Sequence, residues 1–180
     1  MNESAKYCAF LRGVNVNGTT MKMVDVCNVF SKAGVENVSS VLASGNILFQ
    51  SNKSVSELKT SLENAMSKAF IYEAFLFIKD ASEISKIVAN FPFEKKDDFH
   101  QYVFVTSSGI EDVLMDEFEK SKKAEEEEAK IINSTFYWKM KKGDTLNSSF
   151  GKILGRKNLK DKITSRNANT FEKILKKLQA

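Results

Sequence analysis

Apolar residues recur along this chain in two rhythms. Lys6 to Arg12 (KYCAFLR) is rich in strand formers and stops at Gly13, after which VNVNGTT has the composition of a loop. From Met21 the rhythm changes: Met23, Val26, Cys27, Phe30 and Ala33 fall at helical spacing, Thr20 offers an N-cap, and Gly34 stands where a helix end favours a left-handed residue. Val38 to Ala43 and Ile47 to Gln50 are short β-prone runs joined by the turn formers Ser44-Gly45-Asn46. Ser54 and Glu57 make a capping box ahead of Val55, Leu58, Leu62, Ala65, Met66 and Ala69, and Glu73 to Lys79 (EAFLFIK) reads as a strand. Strand, helix, strand, strand, helix, strand within residues 1–79 is the order of a ferredoxin-like α/β plait.

Residues 80–180 read as a weaker copy of the opening of this order: strand, helix, strand, strand. Asp80 to Phe91 has helical spacing and stops at Pro92, which makes it a linking helix. Tyr102 to Thr106 reads as a strand and Ile110 to Phe118 as a helix. Lys130 to Ile132 and Thr135 to Met140 read as a hairpin turning at Asn133-Ser134. A short helix is expected at Phe150 to Leu154, and a final amphipathic helix carries Phe171, Ile174, Leu175 and Leu178 behind an Asn169–Glu172 capping box. The segment from Lys120 to Lys130, with Glu125 to Glu128, reads as solvated charge. The predicted class is α+β, with two ferredoxin-like α/β-plait subdomains packed together, 1–79 and 80–180.

Strand composition constrains function. In EAFLFIK and YVFVT both alternating faces are apolar, so these strands are expected to be covered on both sides, by the other subdomain or by a second chain. RNA-recognition motifs share the plait topology but read RNA through aromatics on an open sheet face, and SGNILFQS is only a faint echo of their signature.

Composition narrows the classes further. The 180 residues are 42% hydrophobic and 28% charged, with 14 Phe, 4 Tyr and 1 Trp, the balance of a globular chain with a sizeable core. No run approaches the roughly 18 apolar residues of a membrane span, and MNESAKYCAF lacks a signal-peptide layout, so a cytoplasmic, membrane-free protein is expected. Cys8 and Cys27 read as small buried hydrophobes. Two Cys and one His do not complete a structural zinc site within one chain, and neither metal nor cofactor is expected. The net charge of +4 is unevenly spread: 15 basic against 20 acidic residues up to Trp138, then 12 against 3 from Lys139 onward. This cationic C-terminal quarter favours an anionic partner such as nucleic acid; the plain alternative is solvated lysines that keep the protein in solution.

Gly13 to Thr20 (GVNVNGTT) supplies the two glycines of a phosphate-binding loop but not its lysine, which removes triphosphate hydrolysis and leaves at most an amide-rich anion cradle beside Arg12. Three blocks, Tyr7-x-Ala9-Phe10-Leu11-Arg12-Gly13-Val14-Asn15-Val16, Ser44-Gly45-Asn46-Ile47-Leu48-Phe49 and Arg166-Asn167-Ala168-Asn169-Thr170, closely resemble the signature blocks of the domain-of-unknown-function 1697 family. Asn17-Gly18 stands where that family has a glycine pair, and Ala168 where it has an aromatic. The resemblance implies two plait-like subdomains and a bacterial cytosolic origin, and it implies no established activity, substrate or cofactor.

Arg12, Asn15, Asn17, Ser44, Asn46, Arg166, Asn167 and Asn169 are the candidate ligand-binding residues, placed in loops at strand or helix ends. The expectation is that they converge on an anion-accepting pocket between the subdomains, arginine giving bidentate contacts and asparagine fixing orientation; the competing expectation is that they staple an interface by hydrogen bonds. No catalytic residues are assigned. His100 sits in the charged stretch EKKDDFH, reads as exposed, and has no nucleophile in a recognisable motif. Three readings stay open: a non-catalytic binder of nucleic acid or a phosphorylated small molecule, a cofactor-independent enzyme for a small anionic substrate, and a protein–protein interaction module that pairs with another chain.

Overall fold

The computed structural model describes residues 4–14, 20–145 and 147–180. The near phosphate-loop stretch 15–19, with Asn15 and Asn17, lies outside the described residues. The chain divides into two compact units, residues 1–86 together with Glu172–Ala180, and Ile87–Phe171. Chain order alone assigns the last nine residues to the second unit; contacts assign them to the first.

In the first unit β1 (Ala5–Arg12), α1 (Met23–Lys32), β2 (Glu36–Ser40), β3 (Asn46–Ser51), α2 (Val55–Phe70) and β4 (Phe75–Asp80) follow in sequence, ahead of α3 (Ala81–Ala89). The sheet order is β2-β3-β1-β4, and β1 pairs antiparallel with both of its neighbours, Cys8 opposite Leu48 of β3 and Lys79 of β4. This is the ferredoxin-like order. Periodicity explains the layering: Val26 and Phe30 of α1 and Leu58, Leu62 and Met66 of α2, spaced at three to four residues, pack with Ala9, Leu11, Ile47, Phe49, Leu76 and Ile78 from one sheet face. Helix α2 starts on the expected capping box: Ser54 Oγ accepts from the Glu57 N–H, and the Glu57 carboxylate accepts from the Ser54 N–H at 2.9 Å. Helix α1 does not use Thr20; its N-cap position is Lys22, with no side-chain bond to the helix.

The second unit holds β5 (Phe99–Thr106), α4 (Ile110–Lys120), β6 (Glu128–Ile132), β7 (Thr135–Lys141), α5 (Ser149–Ile153) and β8 (Ile163–Asn167), followed by α6 (Ala168–Gln179). Its order, β6-β7-β5-β8, is the same arrangement shifted by four strands. The β6–β7 hairpin turns at Asn133-Ser134, both with positive φ (48° and 58°), the backbone that a two-residue hairpin requires. Two expectations are corrected here. Strand β8 closes a second complete plait where only its opening was legible, because ITSRN has a single strongly apolar residue and pairs by register, Tyr102 opposite Asn167 and Phe104 opposite Ser165. Glu127 is not solvated: at 6% exposure it accepts the Trp138 indole N–H at 3.0 Å and the Ala124 N–H at 2.8 Å.

Strands rich in apolar residues on both faces are buried on both faces. Leu76, Phe77 and Ile78 in β4, and Val103, Phe104 and Val105 in β5, are consecutive and all buried. The exposed large hydrophobics among the described residues are Val24, Leu42, Val55, Ile71 and Val113, with no aromatic among them. An RNA-recognition platform of exposed ring faces is therefore not present in the described residues. No described helix is long and apolar enough to cross a membrane.

Candidate functional site

The candidate residues fall into two groups, one in each unit. In the first, Arg12 is the last residue of β1, opposite Phe75, and Asn46 is the first residue of β3. The connection between β2 and β3 folds back on β1: the Leu11 N–H donates to Gly45 O at 2.8 Å and the Val41 N–H to Asn46 O at 2.9 Å. Gly45 has φ +78°, and a Cβ there would lie 3.1 Å from both Leu11 Cβ and Val14 Cγ2, so conformation and space both call for glycine. Asn46 is fully buried, and its Nδ2 donates to Val41 O and Ser44 Oγ, each at 2.9 Å. Ser44 and Asn46 are thus brought together, and their bonds hold the turn.

In the second group Arg166 and Asn167 end β8 and Asn169 lies in the first turn of α6, so they sit within regular elements rather than in loops. Adjacent strand residues leave on opposite faces, so Arg166 and Asn167 diverge. Arg166 Nη1 donates to Thr164 Oγ1 and Ser165 O, both at 2.8 Å. Asn167 Oδ1 accepts from the Asn169 N–H at 3.0 Å, and Asn167 Nδ2 lies 2.8 Å from His100 Nδ1. The final helix is therefore capped by Asn167 and not by Asn169, a shift of two residues that arises because Asn167 is still in extended backbone where an N-cap side chain can reach forward.

His100 is also corrected. It lies in β5, half-buried, its ring 5.6 Å from the Tyr102 ring. Burial, with a smaller contribution from the positive charge of Lys142, lowers its pKa from the ordinary histidine value of 6.5. The alternation His100-Tyr102-Phe104 was the available signal, masked by the charged residues just before it. Tyr102 in turn stacks on Trp138 at 5.3 Å and bonds Thr145 Oγ1 through its hydroxyl at 3.1 Å.

Two further features of the second unit escaped sequence reasoning. Lys139, 6% exposed, is ion-paired to Glu128 across β6 and β7. A cleft of about 260 Å³ is lined by Lys122, Lys123, Asn147, Ser148 and Ser149, with Ala124, Met140 and Asp144 completing its wall. Lys152, one helical turn past Ser149, opens a run in which Lys152, Arg156, Lys157 and Lys160 are all exposed and no acidic residue occurs between Asp144 and Asp161. Arg156 has a counter-charge, Glu117 at 3.2 Å. Among the described residues no group of three or more His, Cys, Asp or Glu could hold a metal ion.

Residues 4–137 match the model of a family described as Protein of unknown function (DUF1697). No curated protein matches the chain. Among solved structures, the conserved bacterial protein SP0830 from Streptococcus pneumoniae is similar in fold, with a TM-score of 0.81 at 22% identity over 98% of this chain and 99% of that one.

Proposed function

Taking as the starting point that the chain belongs to the family Protein of unknown function (DUF1697), we propose that it is a non-catalytic binder of a phosphate-bearing anion, a nucleic acid or a phosphorylated small molecule. The observation that carries this reading is the cleft of the second unit, which Lys122, Lys123, Asn147, Ser148 and Ser149 line together with one carboxylate, Asp144, and which is followed in the chain by the acid-free cationic run from Lys152 to Lys160. Ammonium groups supply attraction to phosphate, and the Asn147 amide and Ser149 hydroxyl supply neutral donors that fix its oxygens, while the Ser148 hydroxyl donates to Thr145 O and holds the adjoining turn. Arg12 and Arg166 belong to the same reading as further cationic contacts, each within its own unit, and Asn15 and Asn17 as further polar candidates. Ser44, Asn46, Asn167 and Asn169 support this reading less, because their bonds hold a turn and a helix start.

Fluorescence anisotropy with labelled single-stranded RNA and DNA, and competition by inorganic polyphosphate, tests it. Affinity is expected to fall with salt by a log–log slope of roughly −0.7 per phosphate contacted on a single strand. The combined variant Lys122→Glu, Lys123→Glu, Lys152→Glu is expected to abolish binding. Absence of binding to every probe at low salt, or binding that ignores the triple variant, defeats the proposal.

A further inference from the structure

The side-chain amide of Asn167 has its orientation set by a group that cannot change role. The Asn169 backbone N–H only donates, so Asn167 Oδ1 faces it at 3.0 Å and the NH2 faces His100 Nδ1 at 2.8 Å. His100 Nδ1 must then accept, which fixes a neutral imidazole carrying its hydrogen on Nε2. A proton on Nδ1 would set N–H against N–H. Relief requires either a flip of the Asn167 amide, which turns NH2 toward the Asn169 N–H and removes the cap of α6, or a swing of the imidazole off the Tyr102 ring.

We infer that His100, Asn167 and the first turn of α6 form a proton-sensitive latch, in which protonating His100 uncaps the helix. The surroundings of the imidazole favour the neutral state. Tyr102 supplies a ring face from β5, and Met140 is the residue opposite His100 on β7 and carries no charge. Asn167 comes from β8, and α6 contributes the Asn169 N–H through Asn167. Lys142, just after β7, is the charged group acting on His100, and its sign opposes a second positive charge. Uncapping would begin at Ala168–Phe171, the residues of α6 that belong to the second unit.

The chain has one histidine, so its titration is read without ambiguity by NMR of the full-length protein. On lowering the pH from 8 to 5, His100 is expected to titrate below the ordinary value of 6.5, and the Asn169 amide should shift with the same midpoint and lose hydrogen-exchange protection on the acid side. A midpoint at or above 6.5, or an Asn169 amide indifferent to the His100 titration, overturns the latch. Asn167→Asp supplies an acceptor to both neighbours; it should raise the His100 midpoint above 6.5 and keep Asn169 protected in acid. Where that variant does not fold, His100→Phe should erase the acid response of Asn169, and persistence of that response also overturns the proposal.

Discussion

The two units carry one strand order, yet they fill the space over their sheets differently. In the first, the helix between β3 and β4 is the 16-residue α2, which spreads its burial over Leu58, Leu62 and Met66. In the second, the helix in the equivalent place is the five-residue α5, and the connection buries Phe150, Ile153 and Leu159, with the Phe150 ring centroid 5.1 Å from Trp138, 5.4 Å from Phe118 and 5.6 Å from Phe136. An aromatic in edge and tilted contact with three others, helped by Ile153 and Leu159, fills the layer without a long helix, because a ring buries a large area at a small cost in rotamer entropy. Topology therefore demands a filled layer, not a helix of given length. The short helix must also come close to its neighbouring turn: a Cβ on Gly151 would sit 1.8 Å from the Thr145 carbonyl oxygen.

If this contrast holds, Phe150→Ala should be the most damaging single truncation, at about 3 to 5 kcal/mol, and should exceed Leu62→Ala, for which neighbours on α2 share the load. Urea denaturation of the two variants decides it, and the reverse ranking removes the distinction. Gly151→Ala comes next, at about 1 to 3 kcal/mol or more, since backbone must move to admit the methyl; the same change at Gly155, where the nearest atom is 3.7 Å away, should be mild. Glu127→Ala leaves the buried Trp138 N–H without its acceptor and should cost about 1 to 3 kcal/mol, with a change in tryptophan fluorescence as a second readout. Smallest is the pair of N-caps. Ser54→Ala and Ser148→Ala should each cost about 1 kcal/mol, as both hydroxyls accept a first-turn N–H.

The first of these caps adds a pH dependence. Hydrogen bonds from the Ser54 hydroxyl and backbone hold the Glu57 carboxyl below its ordinary pKa of 4.5. A lowered carboxyl means the folded state binds fewer protons, so this contribution is complete above 4.5 and is lost as pH falls through the folded value. Ser54→Ala should flatten that acid limb in a comparison of stability against pH. The lowered His100 acts with the same sign in a higher window: its contribution is present above 6.5 and is lost as acid drives protonation of the folded chain.

Much of the fold was legible locally. The Ser54–Glu57 box, the Asn133-Ser134 turn and the helical spacing of Leu58, Leu62 and Met66 are short-range signals whose physics lies within a few residues. Strand β8 and the cap at Asn167 were not, because ITSRN is extended only by virtue of pairing with β5, and an asparagine caps whichever helix begins just beyond it. Of the candidate site, the sequence marked which residues are polar but could not say that Ser44 and Asn46 spend their bonds inside a turn, or that Arg166 and Asn167 leave on opposite faces.

Periodicity, capping and charge balance were decided by the order of residues, since each depends on neighbours along the chain. The pairing of Glu127 with Trp138, of Lys139 with Glu128 and of His100 with Asn167 was decided only once strands met, 11 to 67 positions apart. No local pattern encodes such partners: a polar side chain shows a charge or an amide in sequence, while what it bonds depends on which strand register brings an acceptor within about 3 Å.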